Sequence, residues 1–185
     1  AEKEEITVRA CTREDLPAFI DLMHQMGRRE KFPARSKAYY DTEWEIFNRN
    51  GQAVYWMAYH DGNLAAVRSA YRLGSHSAEF HAGYASGNAG LHVNYLLVWE
   101  CIQWAKKNGC STFDLWGIPD DIGESIEEDE LQFNKRADGL WGVYHFKSGF
   151  SKNIVTYAGA YDFVYSGIPY AVITKLLNRE TIERL

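Results

Sequence analysis

Asp61-Gly62 lies between two runs, Ala53 to His60 and Asn63 to Leu73, that are rich in aromatic, β-branched and small apolar residues. Asp-Gly readily adopts the positive φ angles of a two-residue hairpin turn, so the two runs are predicted to pair antiparallel. Gly74-Ser75 turns the chain again into a third run, about Ser77 to Tyr84. A three-stranded meander cannot bury its own faces and needs helices packed against it. The flanking sequence supplies them. Ile6 to Ala10 alternates like an edge strand, and Thr12 followed by Asp15 has capping-box spacing, with Asp in place of Glu or Gln. A helix is therefore expected from about Arg13 to Arg28, with Leu16, Phe19, Ile20 and Met23 on its inner face. Ser36 caps a second helix through Tyr39, Tyr40, Trp44 and Phe47 that stops near Gly51. Beyond the meander, a loop at Ser86 to Gly90 leads to a long helix that turns Tyr95, Val98, Trp99, Ile102 and Ala105 inward and ends at Gly109. Thr112 to Trp116 reads as a strand, Trp141 to Phe150 as part of a helix, Ile154 to Tyr157 and Tyr161 to Tyr165 as strands, and Ile168 to Arg184 as a terminal helix. The expected class is α/β, a mixed and mostly antiparallel sheet flanked by helices.

With 185 residues and no Gly/Pro/Ser-rich linker, the chain is expected to form one domain, residues 1–185, with its own core. Cys11, Cys101 and Cys110 form no C-x-x-C pair and suggest neither a disulfide framework nor a zinc site; they read as reduced thiols. No apolar run approaches the roughly 20 residues of a membrane span. No signal peptide opens the chain, so a soluble protein is expected. The formal charge is −5, but seven of the 25 acids fall between Asp120 and Glu130 with no base among them. That run, within a loop at about 119–138, is expected to be solvated and mobile. The balance elsewhere is near neutral, which permits contact with nucleic acid without predicting it. The six histidines show no ligand spacing, and no Ser/His/Asp or Cys/His nucleophile set stands out. Structural or surface roles are expected for them.

Lys147 breaks an apolar pattern. Leu140, Val143, Tyr144 and Lys147 fall at i, i+3, i+4 and i+7, the spacing of one helical face. Two readings account for a cation there. Its stem covers apolar surface while the ammonium reaches water, or the ammonium sits at a partly dry site where negative charge develops during a reaction.

The surrounding motif, Gly142-Val143-Tyr144-His145-Phe146-Lys147-Ser148-Gly149-Phe150 followed by Gly159-Ala160-Tyr161-Asp162, resembles the carboxy-terminal signature of the Fem transferases. A second block is similar to the same family. It comprises Ala85-Ser86, Asn94-Tyr95-Leu96-Leu97, Trp99-Glu100, Ile102, Trp104-Ala105-Lys106, Gly109-Cys110 and Asp114-Leu115-Trp116-Gly117. Arg29-Glu30-Lys31-Phe32 with Tyr39-Tyr40 matches the family's R-D-G-F and paired tyrosines. The resemblance implies an acetyltransferase-like (GNAT) fold, and a chain that corresponds to the second of two such domains, with an amino-terminal GNAT-like domain as its partner. It also implies an activity: transfer of an amino acid from aminoacyl-tRNA to the stem peptide of a UDP- or lipid-linked muropeptide in peptidoglycan synthesis. No cofactor is implied, because aminoacyl-tRNA itself is the donor. The implied location is the cytoplasm, with association at the inner face of the plasma membrane as an option.

By the same resemblance Lys147 faces the ester carbonyl and steadies the oxyanion, and Phe146 beside it belongs to the substrate site. Arg28 and Arg29 end the first helix, where cations interact well with the helix dipole. The resemblance adds contact with precursor phosphates, for which Arg29 is the better-placed match. Tyr84, just before the Ala85 to Gly90 loop, is the aromatic singled out for base stacking. That loop occupies the place where acetyltransferases of this architecture hold the coenzyme A pyrophosphate on backbone amides, but it lacks their Gln/Arg-x-x-Gly-x-Gly/Ala pattern. It departs from the Fem pattern too: the arginine after Ala-Ser is missing and Val93 replaces a proline. A coenzyme A-dependent N-acyltransferase and a non-catalytic half that needs its partner domain remain the alternatives.

Overall fold

The computed structural model describes residues 6–87, 92–119, 122, 141–159 and 161–176. They belong to two compact units, Ala1–Gly117 and Ile118–Leu185.

The first unit is built on a five-stranded sheet in the order β1-β2-β3-β4-β5, formed by Ile6–Ala10, Ala53–His60, Asn63–Leu73, His76–Tyr84 and Thr112–Asp114. The first four strands are antiparallel to their neighbours, and β5 joins β4 in parallel. Asp61 and Gly62 both have positive φ, 49° and 76°, and His60 pairs with Asn63, so the expected tight hairpin forms. This is the mixed, mostly antiparallel α/β architecture read from the sequence.

Helix α1, Leu16–Glu30, starts where Asp15 Oδ2 accepts hydrogen bonds from the backbone N–H and hydroxyl of Thr12, each at 2.9 Å. Arg9 grips the same carboxylate from β1. Helix α2, Lys37–Glu43, begins as expected at Ser36, whose Oγ accepts from the Tyr39 N–H, and runs into one π-helical turn, Trp44–Asn48. Helix α3, Val93–Lys107, closes with a Schellman motif. Gly109 N–H donates to the Lys106 carbonyl and Cys110 N–H to that of Ala105, while Gly109 takes a φ of 80°. Phe19, Ile20, Met23, Tyr40 and Trp44 from α1, α2 and the π turn cover one face of the sheet against Tyr55, Met57 and Val67. Val93, Leu97 and Cys101 of α3 cover the other, against Ala58, Ala66 and Ala70.

A β-bulge in β3–β4 decides which side chains of β4 face which layer. Ala70 pairs with Glu79 and Arg68 with Ala82, so Ser69 alone faces Phe80 and His81. The hydroxyl of Ser69 accepts the His81 N–H at 3.0 Å. Glu79 consequently meets Arg68 on the α3 face, and His81 meets α2 on the other.

Strand β5 ends at Asp114 and not at the expected Trp116. Trp116 has a φ of 68° and donates its N–H to Asp114 Oδ1, a local turn that stops the strand.

In the second unit, α4 spans Trp141–Ser148 and α5 spans Gly167–Leu176. The strands expected at Ile154 to Tyr157 and Tyr161 to Tyr165 do not form among the described residues. Alternation makes a strand only where a neighbour takes up its backbone groups, and here Val155, Tyr157, Tyr161, Phe163 and Tyr165 stand exposed on an irregular segment. The acidic run, apart from Ile122 within its span, and the terminal helix beyond Leu176 lie outside the described residues. No helix among the described residues is long and apolar enough to cross a membrane.

Candidate functional site

The end of α1 and the end of β4 bring Arg29 and Tyr84 together. Arg29 Nη2 donates to the Tyr84 carbonyl at 3.0 Å, and its Cζ lies 4.7 Å from the centre of the Tyr84 ring. Arg29 Nε donates to Glu30 Oε1 at 2.8 Å, and the Tyr84 hydroxyl donates to the same oxygen at 3.3 Å. Glu30 holds the Arg29 guanidinium above its already high range, so it stays charged. Nη1 has no hydrogen bond among the described residues, which leaves one arm of the fork for an anion. This cluster abuts Ala85, where the loop toward α3 begins. Arg28 points elsewhere and lines a shallow, open hollow of about 190 Å³ with His24, Gly27, Phe32 and Ala34. Two adjacent helical residues are offset by about 100°, so one arginine reaches Tyr84 and the other does not.

Lys147 and Phe146 belong to the second unit. Lys147 lies in the last turn of α4 and is only 8% exposed. Its carbonyl accepts the N–H groups of Phe150 and Ser151, and the Phe146 and Phe150 rings meet edge to face with centroids 5.6 Å apart. The F-K-S-G-F motif is thus the closing turn of a helix that ends at Ser148. A buried ammonium is favourable only where polar or charged groups compensate it, so this lysine is not an ordinary surface cation.

Two features of the first unit were not singled out from the sequence. Pairing between β4 and β5 runs only from His76 to Ala78 against Thr112 to Asp114, so the remaining edge of β4, Glu79 to Tyr84, has no strand beside it among the described residues. On the α2 face, His81 Nε2 lies 2.7 Å from Glu43 Oε2, and both residues are buried. Tyr55 and Tyr71 share a hydroxyl–hydroxyl bond of 2.5 Å nearby. Burial first, and the neighbouring tyrosine and Glu43 after it, push the Tyr71 phenol far up. Burial pushes Tyr40 up to about 12. Glu43 follows Tyr40 by three residues and precedes Trp44 on an apolar helical face, and that placement was the available sequence signal. Its partner, 38 residues away, left no local trace. Among the described residues no group of three or more His, Cys, Asp or Glu side chains is arranged to hold a metal.

Known proteins agree with this architecture. Residues 1–126 match the family model described as "Acetyltransferase (GNAT) domain". No curated protein matches the chain. Among solved structures, glucosamine-6-phosphate N-acetyltransferase from Arabidopsis thaliana is similar at 17% identity and a TM-score of 0.56, over 86% of this chain and 100% of that one. An aminoglycoside acetyltransferase from an uncultured soil metagenomic sample is similar at 10% identity and a TM-score of 0.59, over 86% and 96%. FemX is similar at 15% identity and a TM-score of 0.61, over 77% of this chain and 49% of FemX, so the chain spans about half of that protein's length. At these identities the likeness is one of fold. The family model covers well over half of the sequence and coincides with the sheet and its three helices, and the chain therefore belongs to the GNAT acetyltransferase family.

Proposed function

We propose that this GNAT domain serves a Fem-type aminoacyltransferase, which moves an amino acid from aminoacyl-tRNA to an amine on the stem peptide of a peptidoglycan precursor. The observation that carries the reading is Lys147, a buried lysine in an F-K-S-G-F helix end. The acceptor amine attacks the ester carbonyl, the carbonyl oxygen becomes an oxyanion, and the C–O bond to the tRNA breaks as the amide forms. An ammonium held near that oxygen in a site that excludes water lowers the barrier. Arg29, with one arm of its fork open, suits the phosphates of the precursor. An amino-terminal domain would complete the acceptor site, and both substrates place the reaction in the cytoplasm, at the membrane when the precursor is lipid-linked. Transfer of radiolabelled amino acid from charged tRNA to a muropeptide by the full-length protein tests this directly. Absence of transfer with a panel of aminoacyl-tRNAs would sink it.

One observation favours a coenzyme A-dependent N-acyltransferase instead. The open edge of β4 from Glu79 to Tyr84 offers backbone groups that an extended, amide-bearing acyl carrier could pair with. Against it stands the missing phosphate-cradle pattern in Ala85 to Gly90. A thermal-shift titration separates the two readings: millimolar acetyl-coenzyme A leaves Tm unchanged on the first and raises it on the second.

A further inference from the structure

Acyl transfer to an amine needs a proton acceptor, and the one carboxylate of the Arg29 cluster, Glu30, is already engaged by the Arg29 guanidinium and the Tyr84 hydroxyl. We infer that His81, oriented by Glu43, takes the proton from the acceptor amine; this rests on the acyl-transfer reading shared by both proposed donors. The geometry is specific. A carboxylate can only accept, so with a neutral imidazole the 2.7 Å contact puts the proton on His81 Nε2 and the lone pair on Nδ1. Nδ1 has no hydrogen bond among the described residues.

The β3–β4 bulge aims the ring at this position, and it lies in the middle of the β4 stretch whose other edge is open. The Tyr40 and Phe80 rings pack against the imidazole at 4.9 and 5.0 Å and restrict its rotation. The titratable side chains that face the pair are Tyr39 and Tyr40 from α2, Tyr55 from β2 and Tyr71 from β3. Burial foremost raises all four phenols, and Glu43 adds to it in each. Glu43 is thus the carboxyl group among four phenols, 2.7 Å from the imidazole and placed to stabilise an imidazolium. The π turn that follows Glu43 is the kind of irregularity that recurs at functional sites in helices.

The step balances without a co-reactant. The amine loses a proton to Nδ1 as its nitrogen bonds to the acyl carbon, and the imidazolium is held by Glu43. When the bond to the leaving oxygen or sulfur breaks, that atom takes the proton and His81 returns to neutral.

A buried His–Glu pair that only holds α2 to the sheet requires neither a free Nδ1 nor a carboxylate. Carbethoxylation of the native full-length protein with diethyl pyrocarbonate, mapped by mass spectrometry, should label His81; labelling of other histidines with His81 protected would overturn the inference. Glu43→Gln keeps an acceptor for the Nε2 proton but cannot stabilise the imidazolium. It should fold with an unchanged Tm and lose about 100-fold in transfer rate. His81→Ala should be restored in part by added imidazole. Should Glu43→Gln work at the wild-type rate in a protein that does transfer, this inference alone is sunk. If the wild type transfers from neither donor, the acyl-transfer reading falls with it.

Discussion

The guanidinium of Arg29 binds Tyr84 twice, through its face to the phenol ring at 4.7 Å and through Nη2 to the main-chain carbonyl at 3.0 Å. One side chain therefore ties the last turn of α1 to the end of β4, at the root of the loop that leads to α3.

Replacing Arg29 by Ala should cost little stability, about 1 kcal/mol, because the contacts are partly solvent-exposed. It should weaken binding of a phosphate-bearing acceptor by about tenfold, the effect of one charge-assisted hydrogen bond. Arg29→Lys should recover the charge and not the fork, leaving most of the loss in place. Calorimetric titration with a nucleotide-linked muropeptide measures both, and unaltered affinity in Arg29→Ala removes the phosphate role.

Lys147→Met keeps an unbranched stem and deletes the charge at a position only 8% exposed. If the lysine serves transfer, the variant should fold and its rate should fall by about 100-fold or more, with partial rescue by Arg. Wild-type rates with matched aminoacyl-tRNA and precursor would end the catalytic assignment.

Stability at low pH should report the Arg9–Asp15 clamp. Hydrogen bonding from Arg9, then from Thr12, holds the Asp15 carboxyl far below its ordinary range. A depressed folded value contributes stability that is complete above the unfolded value, near 3.9, and is lost as the pH falls below it. Asp15→Asn should lower stability by about 0.5–1 kcal/mol at pH 7. The gap to wild type in denaturant midpoints should narrow steadily below about pH 4. A gap that stays constant down to pH 2 would show that the clamp does not act through charge.

The alkaline limb has the opposite sign. Burial raises the Tyr71 and Tyr55 phenols in the folded state, so the unfolded chain ionises first and stability is lost as pH rises past about 10. Tm should fall steeply between pH 9.5 and 11 on this account, and Tyr71→Phe should flatten the slope. Equal slopes in the two proteins would place the alkaline sensitivity elsewhere.

The meander, its hairpin turn, the Ser36 cap and the end of α3 at Gly109 were legible because each is written in residues close together in the chain. Asp61-Gly62 needs only its own backbone, and Ser36 reaches only three residues ahead. The strands expected after Ile154 were misread for the complementary reason. Their alternation is local, but pairing depends on a neighbour that no local pattern supplies. Arg29 and Tyr84 meet 55 positions apart, although composition alone gives no reason to join them. Glu43 and His81 stayed hidden because a one-residue bulge at Ser69 decides which face His81 takes. Alternation along a strand cannot register an inserted residue.

The brevity of β5 sets the order in which the sheet lets go. Strand β2 runs for eight residues between two neighbours, whereas β5 holds to β4 over three and forms the outer border. In heavy water the amides of Thr112 to Asp114 should trade their protons long before those of Val54 to Ala58, since detaching three residues frees few bonds and uncovers little apolar surface. The border of the sheet should thus loosen first and leave the hairpin of β2 and β3 standing.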